Sequence, residues 1–267
     1  INVLCCTPTE YRMMAKLSNL NDYHLEHLHS AVSAGEPLNR EVVEQFKNNF
    51  NLTVRDGYGQ TESTLLIGFL KDTEPRTGSM GKGIPGSFVT IIDDDGNEVP
   101  PQTKGNIAVP LDLPALFKGY YKDEERTKAA SAGDYYVTGD LAHKDEDGYF
   151  WFEGRRDDII ISSGYTIGPF EVEDALTNHP AVKECAVVAS PHEIRGNIVK
   201  AFIILQNNYE GNDELVKELQ TFCKNEVAPY KYPRAIEFVD DLPKTNSGKI
   251  RRVELRDAEI AKYNNQD

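Results

Sequence analysis

Apolar residues in the first sixty positions fall in short blocks divided by polar turns, and the blocks alternate in period. INVLCC reads as a buried strand and LHSAVSAG as another. EVVEQFKNNF sets Val42, Val43, Phe46 and Phe50 at helix-compatible spacing, with Pro37 and Asn39 as start signals. NLTVRDGYG returns to a strand that ends in a Gly-rich turn. Strand and helix in alternation predict an α/β layer with a parallel component.

From about Arg76 to Trp151 the texture changes. Short β-rich pieces (SFVTIID, GNIAVPL, YYVTG, YFWFEG) are separated by DDDGN, PPQTKG, AGD and DEDG, which predicts a small antiparallel sheet or barrel. After GRRDD the pattern changes again. FEVEDALTNHPAV reads as a helix and turn, CAVVAS and KAFIIL as strands, DELVKELQTFCKNEV as an amphipathic helix and AIEFVD as a last strand. A separate α/β domain of roughly 110 residues fits the usual size range, with its boundary near Arg156–Asp158. The expected fold class is therefore α/β plus α+β: residues 1–75 as an α/β segment, 76–156 as a β-rich subdomain, and 157–267 as a small α/β domain.

At 267 residues the chain buries enough apolar surface to fold without staples. The formal charge of −14 argues against a broad nucleic-acid footprint, because phosphate binding needs a dense Lys/Arg surface. Cys5, Cys6, Cys185 and Cys223 show no C-x-x-C spacing, so reduced thiols in a cytoplasmic protein are expected. No run approaches the ~20 apolar residues of a membrane span, and the stretch INVLCCTPTEYRMM lacks a charged n-region followed by a long apolar core. A start on a strand-like INVLCC without Met reads as a piece of something longer.

Three stretches carry candidate chemistry. In 57-GYGQTE-62, Gly57 and Gly59 flank Tyr58 at a predicted strand end, followed by Gln60, Thr61 and Glu62. Glycine admits close backbone approach, a tyrosine ring can lie on a flat base, and Glu62 is a hard oxygen ligand suited to Mg²⁺. The plainer reading is a Gly-rich turn before a helix. In 136-YVTGDLAHKDEDGYFWFEGRRDD-158, Asp140 follows a strand and a Gly, and Arg155 lies beyond a second hairpin signal. A carboxylate accepts both ribose hydroxyls and an Arg fork holds sugar or phosphate oxygens. The plainer readings are a turn residue for Asp140 and an exposed ion pair for Arg155 and Asp157. In 242-LPKTNSGKIRR-252, Gly248 and Lys249 suit a phosphate, although Pro243 and Ile250 exclude a P-loop, and a solvated basic tail is the alternative. His24, His27 and His29 share no single helical face and read as surface histidines.

The order of these pieces is more telling than any one. SAGEPLN (33–39), YGQTE (58–62), YVTGDLA (136–142), GRRDDIIISSGYTIGPFEVE (154–173) and LPKTNSGKIRR (242–252) resemble, in sequence and in order, the motifs of adenylate-forming enzymes. GYGQTE, SSGYTIGPFEVE and APYKYPRAIEF are most similar to the medium-chain acyl-CoA synthetase branch. The resemblance runs from about Thr7 to Arg256.

That resemblance implies a two-step reaction of a small carboxylic acid with ATP and CoA, with AMP and pyrophosphate as products and Mg²⁺ as cofactor. It implies that residues 1–156 are the C-terminal part of the large AMP-binding domain and 157–267 the mobile lid. Gly35, Glu36 and Pro37 would line the adenine site, with Asp56 beside it and Tyr58 against the base. Gly57, Gly59 and Gln60 would belong to the same nucleotide site, Thr61 would contact phosphate and Glu62 would bind the metal. Asp140 and Arg155 would hold the ribose, Asp157 would mark the hinge, Lys249 would enter for adenylation, and Gly164 and Tyr165 would form the mouth of the CoA channel. The sequence departs from the family in three places. The Gly/Ser/Thr-rich phosphate loop that precedes these motifs is absent, Thr166 stands where Arg is usual, and Ile161 where many members carry Lys or Asn. The expectation is a fragment with partial nucleotide binding and little or no ligase activity. The alternatives are an adenylation domain that loads a carrier protein and a non-catalytic adenylate- or CoA-binding module.

Overall fold

The computed structural model describes residues 1–17, 19–245 and 248–265. The chain divides into two compact units, Ile1–Glu153 and Gly154–Asp267.

The first unit opens with β1 (Val3–Cys6), α1 (Pro8–Ala15), β2 (Ser30–Ala34), α2 (Arg40–Phe50) and β3 (Val54–Gln60). β1 pairs parallel with β2 and β2 parallel with β3. α1 was not expected, although the chain signals it. Thr7 and Glu10 form a capping box, in which Glu10 N–H donates to Thr7 Oγ1 and Thr7 N–H to Glu10 Oε2, and Pro8 sets the first turn. Its Tyr11 is fully buried and donates to the carbonyls of Leu4 and Val32, which fixes the helix to β1 and β2. α2 buries Val42, Val43 and Phe46, the face expected from its spacing, and ends on Asn51 in the left-handed conformation (φ 52°). β1, expected to be buried, alternates instead: Val3 and Cys5 are exposed while Leu4 and Cys6 face the core, because β1 ends the sheet and α1 and α2 pack on one side.

The β-rich stretch comprises β4 (Thr64–Gly68), β5 (Gly81–Gly83), β6 (Thr90–Ile92), β7 (Gly105–Pro110), α3 (Glu124–Ala129), β8 (Ser131–Ala132), β9 (Tyr135–Lys144) and β10 (Tyr149–Arg155). It does not form a sheet of its own. Its strands continue the parallel layer as one ten-stranded mixed sheet in the order β1-β2-β3-β4-β5-β10-β9-β7-β6, with β8 on β9. Residues of β4, β7, β9 and β10 share one core of Leu66, Ile67, Ile107, Val109, Tyr136 and Phe150. The sheet therefore curls, and side chains of β3 and β9 meet although three strands lie between them.

The second unit contains a hairpin of β11 (Ile160–Ser162) and β12 (Tyr165–Ile167), then α4 (Pro169–Thr177), β13 (Val182–His192), β14 (Gly196–Leu205), α5 (Asp213–Glu226), β15 (Ala235–Phe238) and α6 (Arg252–Asn264). β13 and β14 are antiparallel, and β15 joins β14 in parallel. Val172 and Leu176 of α4, Leu219 and Cys223 of α5, and Val187, Ala201 and Ile203 of the sheet form its core. Arg252 is not part of a solvated tail. It begins α6 and lies in a half-buried ion pair.

Candidate active site

The site in the first unit begins where the parallel strands end, the edge at which open α/β sheets take ligands. β2 stops at Ala34, the register partner of Gly57 in β3, and the chain continues through Gly35, Glu36 and Pro37 beside it. The Glu36 carboxylate accepts from Arg12 Nη2 at 3.1 Å and from Thr9 Oγ1 at 2.9 Å, so α1 anchors this segment. Asp56 accepts from Gly57 N–H at 2.9 Å and from Leu38 N–H, yet burial outweighs both and pushes its pKa up to about 7.

β3 does not end in a turn at Gly57. It runs through Tyr58, Gly59 and Gln60, and a short turn then leads into antiparallel β4. Gly59 is required by close approach: a Cβ there would stand 2.0 Å from the Thr64 carbonyl oxygen. Tyr58 OH donates to Asp140 Oδ2 at 2.6 Å, and Gln60 Nε2 donates to the same oxygen at 2.8 Å and to the Thr138 carbonyl at 2.9 Å. Asp140 is thus neither beyond a strand nor a turn residue. It lies within β9, buried, because β9 continues through Gly139 to Lys144.

Thr61 is exposed in the β3–β4 turn. Glu62 is held there by the loop before α3: Phe117 N–H donates to its carbonyl at 2.7 Å and Tyr120 OH to Oε1 at 3.1 Å. Tyr120 is in turn covered by the Arg126 guanidinium, 3.8 Å from the ring centroid. Beside it a cavity of about 280 Å³ is lined by Leu113, Phe117, Lys118 and Tyr136.

Tyr120, Tyr136 and Thr138 escaped the sequence reading. Tyr136 OH donates to Gln60 Oε1 at 3.1 Å, and Thr138 Oγ1 accepts from Asp140 N–H at 3.2 Å while donating to the Ile107 carbonyl at 3.0 Å. A signal existed for two of them. Tyr136, Thr138 and Asp140 are spaced by two on one strand and share its buried face. Burial pushes the Tyr58 and Tyr136 hydroxyls well above the ordinary tyrosine value, and for Tyr58 the charge of Asp140 adds to it. Both therefore remain neutral donors.

Arg155, Gly164, Tyr165 and Lys249 belong to the second unit. Arg155 ends β10 and is exposed. Asp157 lies in a one-turn 3-10 helix, where its carbonyl accepts from Arg256 Nη1 at 2.6 Å. Ser163 (φ 50°) and Gly164 (φ 83°) form the two-residue turn between β11 and β12, the two positive φ values that a tight hairpin demands. Tyr165 follows, exposed and stacked on Tyr230 with centroids 4.3 Å apart. Ile161 and Thr166 are register partners on this hairpin, both exposed.

Lys249 sits in a loop closed by Thr245 N–H donating to the Lys249 carbonyl at 2.8 Å and Arg251 N–H to the Pro243 carbonyl at 2.8 Å; Asn246 and Ser247 of the motif lie outside the described residues. Its side chain is exposed, with no ion-pair partner among the described residues. At the loop's end, Arg252 Nε and Nη2 donate to the two Glu173 oxygens at 2.9 and 2.6 Å. Glu173 also accepts from Val187 N–H at 2.8 Å. This bidentate pair joins the end of one motif to the end of another.

Residues 1–121 match the AMP-binding enzyme family and residues 171–249 match the AMP-binding enzyme C-terminal domain. The chain belongs to the AMP-binding enzymes.

Among its relatives is the uncharacterized acyl-CoA ligase YtcI of Bacillus subtilis (strain 168), 67% identical over 259 residues, covering 97% of this chain and 49% of that protein. The mitochondrial acyl-coenzyme A synthetase ACSM3 of Rattus norvegicus is 49% identical over 261 residues, covering 96% of this chain and 45% of that protein. Among solved structures, the anthranilate CoA ligase AuaEII, in complex with anthranoyl-AMP, superposes with a TM-score of 0.89 at 35% identity, covering 97% of this chain and 50% of that one. The chain spans about half the length of the curated relatives it matches.

Proposed function

We propose that this chain is the C-terminal half of an ATP-dependent acyl-CoA synthetase, with residues 1–156 part of the large AMP-binding domain and 157–267 the lid. A carboxylic acid attacks the α-phosphorus of ATP, giving an acyl-adenylate and pyrophosphate, and the CoA thiol then displaces AMP to give the thioester. The observation that carries this reading is the cluster at Asp140. A buried carboxylate, preset by Tyr58 and Gln60 at the end of a parallel layer, suits the two donor hydroxyls of a ribose.

In this reading Gly35, Glu36, Pro37 and Asp56 line the adenine, Gly57, Gly59 and Gln60 shape the adjoining wall, Thr61 faces phosphate, and Asp140 with Arg155 holds the sugar. Among the described residues no three His, Cys, Asp or Glu side chains converge on one point. Glu62 fits Mg²⁺ in the mode that ion prefers, one carboxylate with waters and phosphate oxygens, and the bound ion would neutralise phosphate charge. Lys249 brings a compact positive charge to the carboxylate and phosphate oxygens during adenylation. Gly164 and Tyr165 act in the second step at the CoA channel.

The 267 residues alone are expected to bind nucleotide and to form little or no thioester. Calorimetric titration of the chain with AMP tests the site. Binding that weakens about tenfold or more in Asp140→Ala is expected, from the loss of charge-assisted hydrogen bonds. Failure of the wild-type chain to bind AMP at millimolar concentration overturns the reading.

A further inference from the structure

Arg256 of α6 reaches back 99 residues to the segment that opens the second unit. Its Nη1 carries two hydrogens, and it donates to the Asp157 carbonyl at 2.6 Å and to Asp158 Oδ1 at 3.1 Å. Carbonyls at the end of a helical turn have no partner within it and carry a partial negative charge. The guanidinium therefore satisfies the Arg156–Asp158 turn and its carboxylate together. Both side chains are shielded, Arg256 at 25% and Asp158 at 16% exposure, which limits screening by water.

The same helix carries the lysine loop. Arg251 N–H donates to the Pro243 carbonyl at 2.8 Å, Arg251 pairs with Glu254 in the first turn of α6, and Lys249 lies just ahead of that turn. Arg252, one turn before Arg256 and hence on the same side of the helix, grips Glu173 of α4. Toward the far end, Glu259 accepts from Ser190 Oγ and from Lys200 Nζ, each at 2.8 Å, which seats α6 on β13 and β14. α6 is thus a firmly seated link between the Lys249 loop and the Asp157–Asp158 segment.

Covalent geometry sets what this latch fixes. A peptide unit is planar, so holding the Asp157 oxygen and the Asp158 side chain ties the whole Asp157–Asp158 unit to α6. Rotation about φ and ψ of Asp157 leaves that oxygen with the downstream body, and the latch does not oppose such a turn. It opposes slack beyond it. Upstream of the fixed unit, the nearest torsions are those from Gly154, at φ 143°, to Asp157. We propose that Arg256 is a positioning residue that ends the hinge at the Asp157–Asp158 peptide, so that α6 and the Lys249 loop turn as one body and Lys249 reaches the reacting oxygens in a fixed place.

This role rests on the reading of residues 157–267 as a lid, whereas the latch itself can be tested without any ligand. Hydrogen exchange of the 267-residue chain, read by mass spectrometry, compares the wild type with Arg256→Ala and Arg256→Lys. Arg256→Ala should speed exchange about tenfold or more in residues 157–161 and 248–253 together, while β13 and β14 keep their protection. Arg256→Lys, whose ammonium can donate to both oxygens, should restore the wild-type pattern. Asp158→Asn, which removes only the charged half of the latch, should show the same pattern more weakly, which covers the case of a poorly folding Arg256→Ala. No acceleration at 157–161, or equal acceleration throughout the second unit, overturns the latch.

The second measurement is ATP–pyrophosphate exchange in the chain extended N-terminally by its own upstream coding sequence. Arg256→Ala should lower the maximal exchange rate about tenfold or more and change KM for ATP by less than about threefold. In a Lys249→Ala background the same substitution should cost less than about twofold, since no lysine is left to place. An equal loss with and without Lys249 overturns the positioning role. Absence of exchange with every acid tried in the extended wild type refutes the acyl-activating reading and, with it, that role, while the hydrogen-exchange pattern decides the latch by itself.

Discussion

Tyr58 and Asp140 are 82 residues apart in the chain and belong to strands that do not pair, yet Tyr58 OH lies 2.6 Å from Asp140 Oδ2. The contact exists because the sheet curls, and it helps hold the curl. Tyr58→Phe keeps the ring but removes a donor to a buried carboxylate. The expected cost is about 1.5–3 kcal/mol, the range for hydrogen bonds to charged groups. Urea unfolding checks it, and a loss indistinguishable from zero would show that the contact is incidental.

Asp56 gives the fold a pH dependence of its own. Burial raises its folded-state pKa to about 7, above the unfolded carboxylate value of about 3.9. The stability linked to this group is fully present below about pH 4 and is lost as pH rises through 7, because folding then buries the charged form. Asp56→Asn should match the wild type near pH 4 and exceed it at pH 8, by on the order of 1–4 kcal/mol. Unfolding free energies at both pH values check the sign. An advantage for the variant at pH 4 that disappears at pH 8 would reverse it.

The Glu173–Arg252 pair anchors the segment that follows Lys249. Glu173 is only 7% exposed at the side chain, so removal of Arg252 strands a carboxylate in the core. Arg252→Met should destabilise the chain by about 3–5 kcal/mol, and the double variant Glu173→Gln/Arg252→Met should recover part of that loss. Thermal unfolding of the two variants and the wild type measures it. A double variant no better than Arg252→Met would mean that the ion pair is not what holds α6 to α4.

Local signals in the sequence were legible where one element carried its own pattern. α2 is readable because Val42, Val43 and Phe46 form its buried face, and the order of the motifs points to the family. The β9 strand was cut short because Gly139-Asp140 resembles a turn, and with it went the alternation that lines up Tyr136, Thr138 and Asp140. α6 went unassigned, and the basic run before it left a solvated tail open, because Arg252 finds its partner, Glu173, 79 residues away. The curl that brings β3 to β9 depends on strand order across the whole sheet, which no local window contains. Tyr120 lies in a loop, and only the fold brings its hydroxyl to Glu62, 58 residues away.

The most direct test of the acyl-activating reading is acid-dependent ATP–pyrophosphate exchange with acetate, butyrate, octanoate and benzoate. It should be run on the 267-residue chain, on the same chain extended N-terminally by its own upstream coding sequence, and on the extended Lys249→Ala variant. The account predicts exchange with at least one acid in the extended protein, little or none in the chain alone, and a loss of about 10²–10³-fold in Lys249→Ala, the scale of removing one transition-state charge contact. No exchange with any acid in the extended protein, or a wild-type rate in Lys249→Ala, would contradict it.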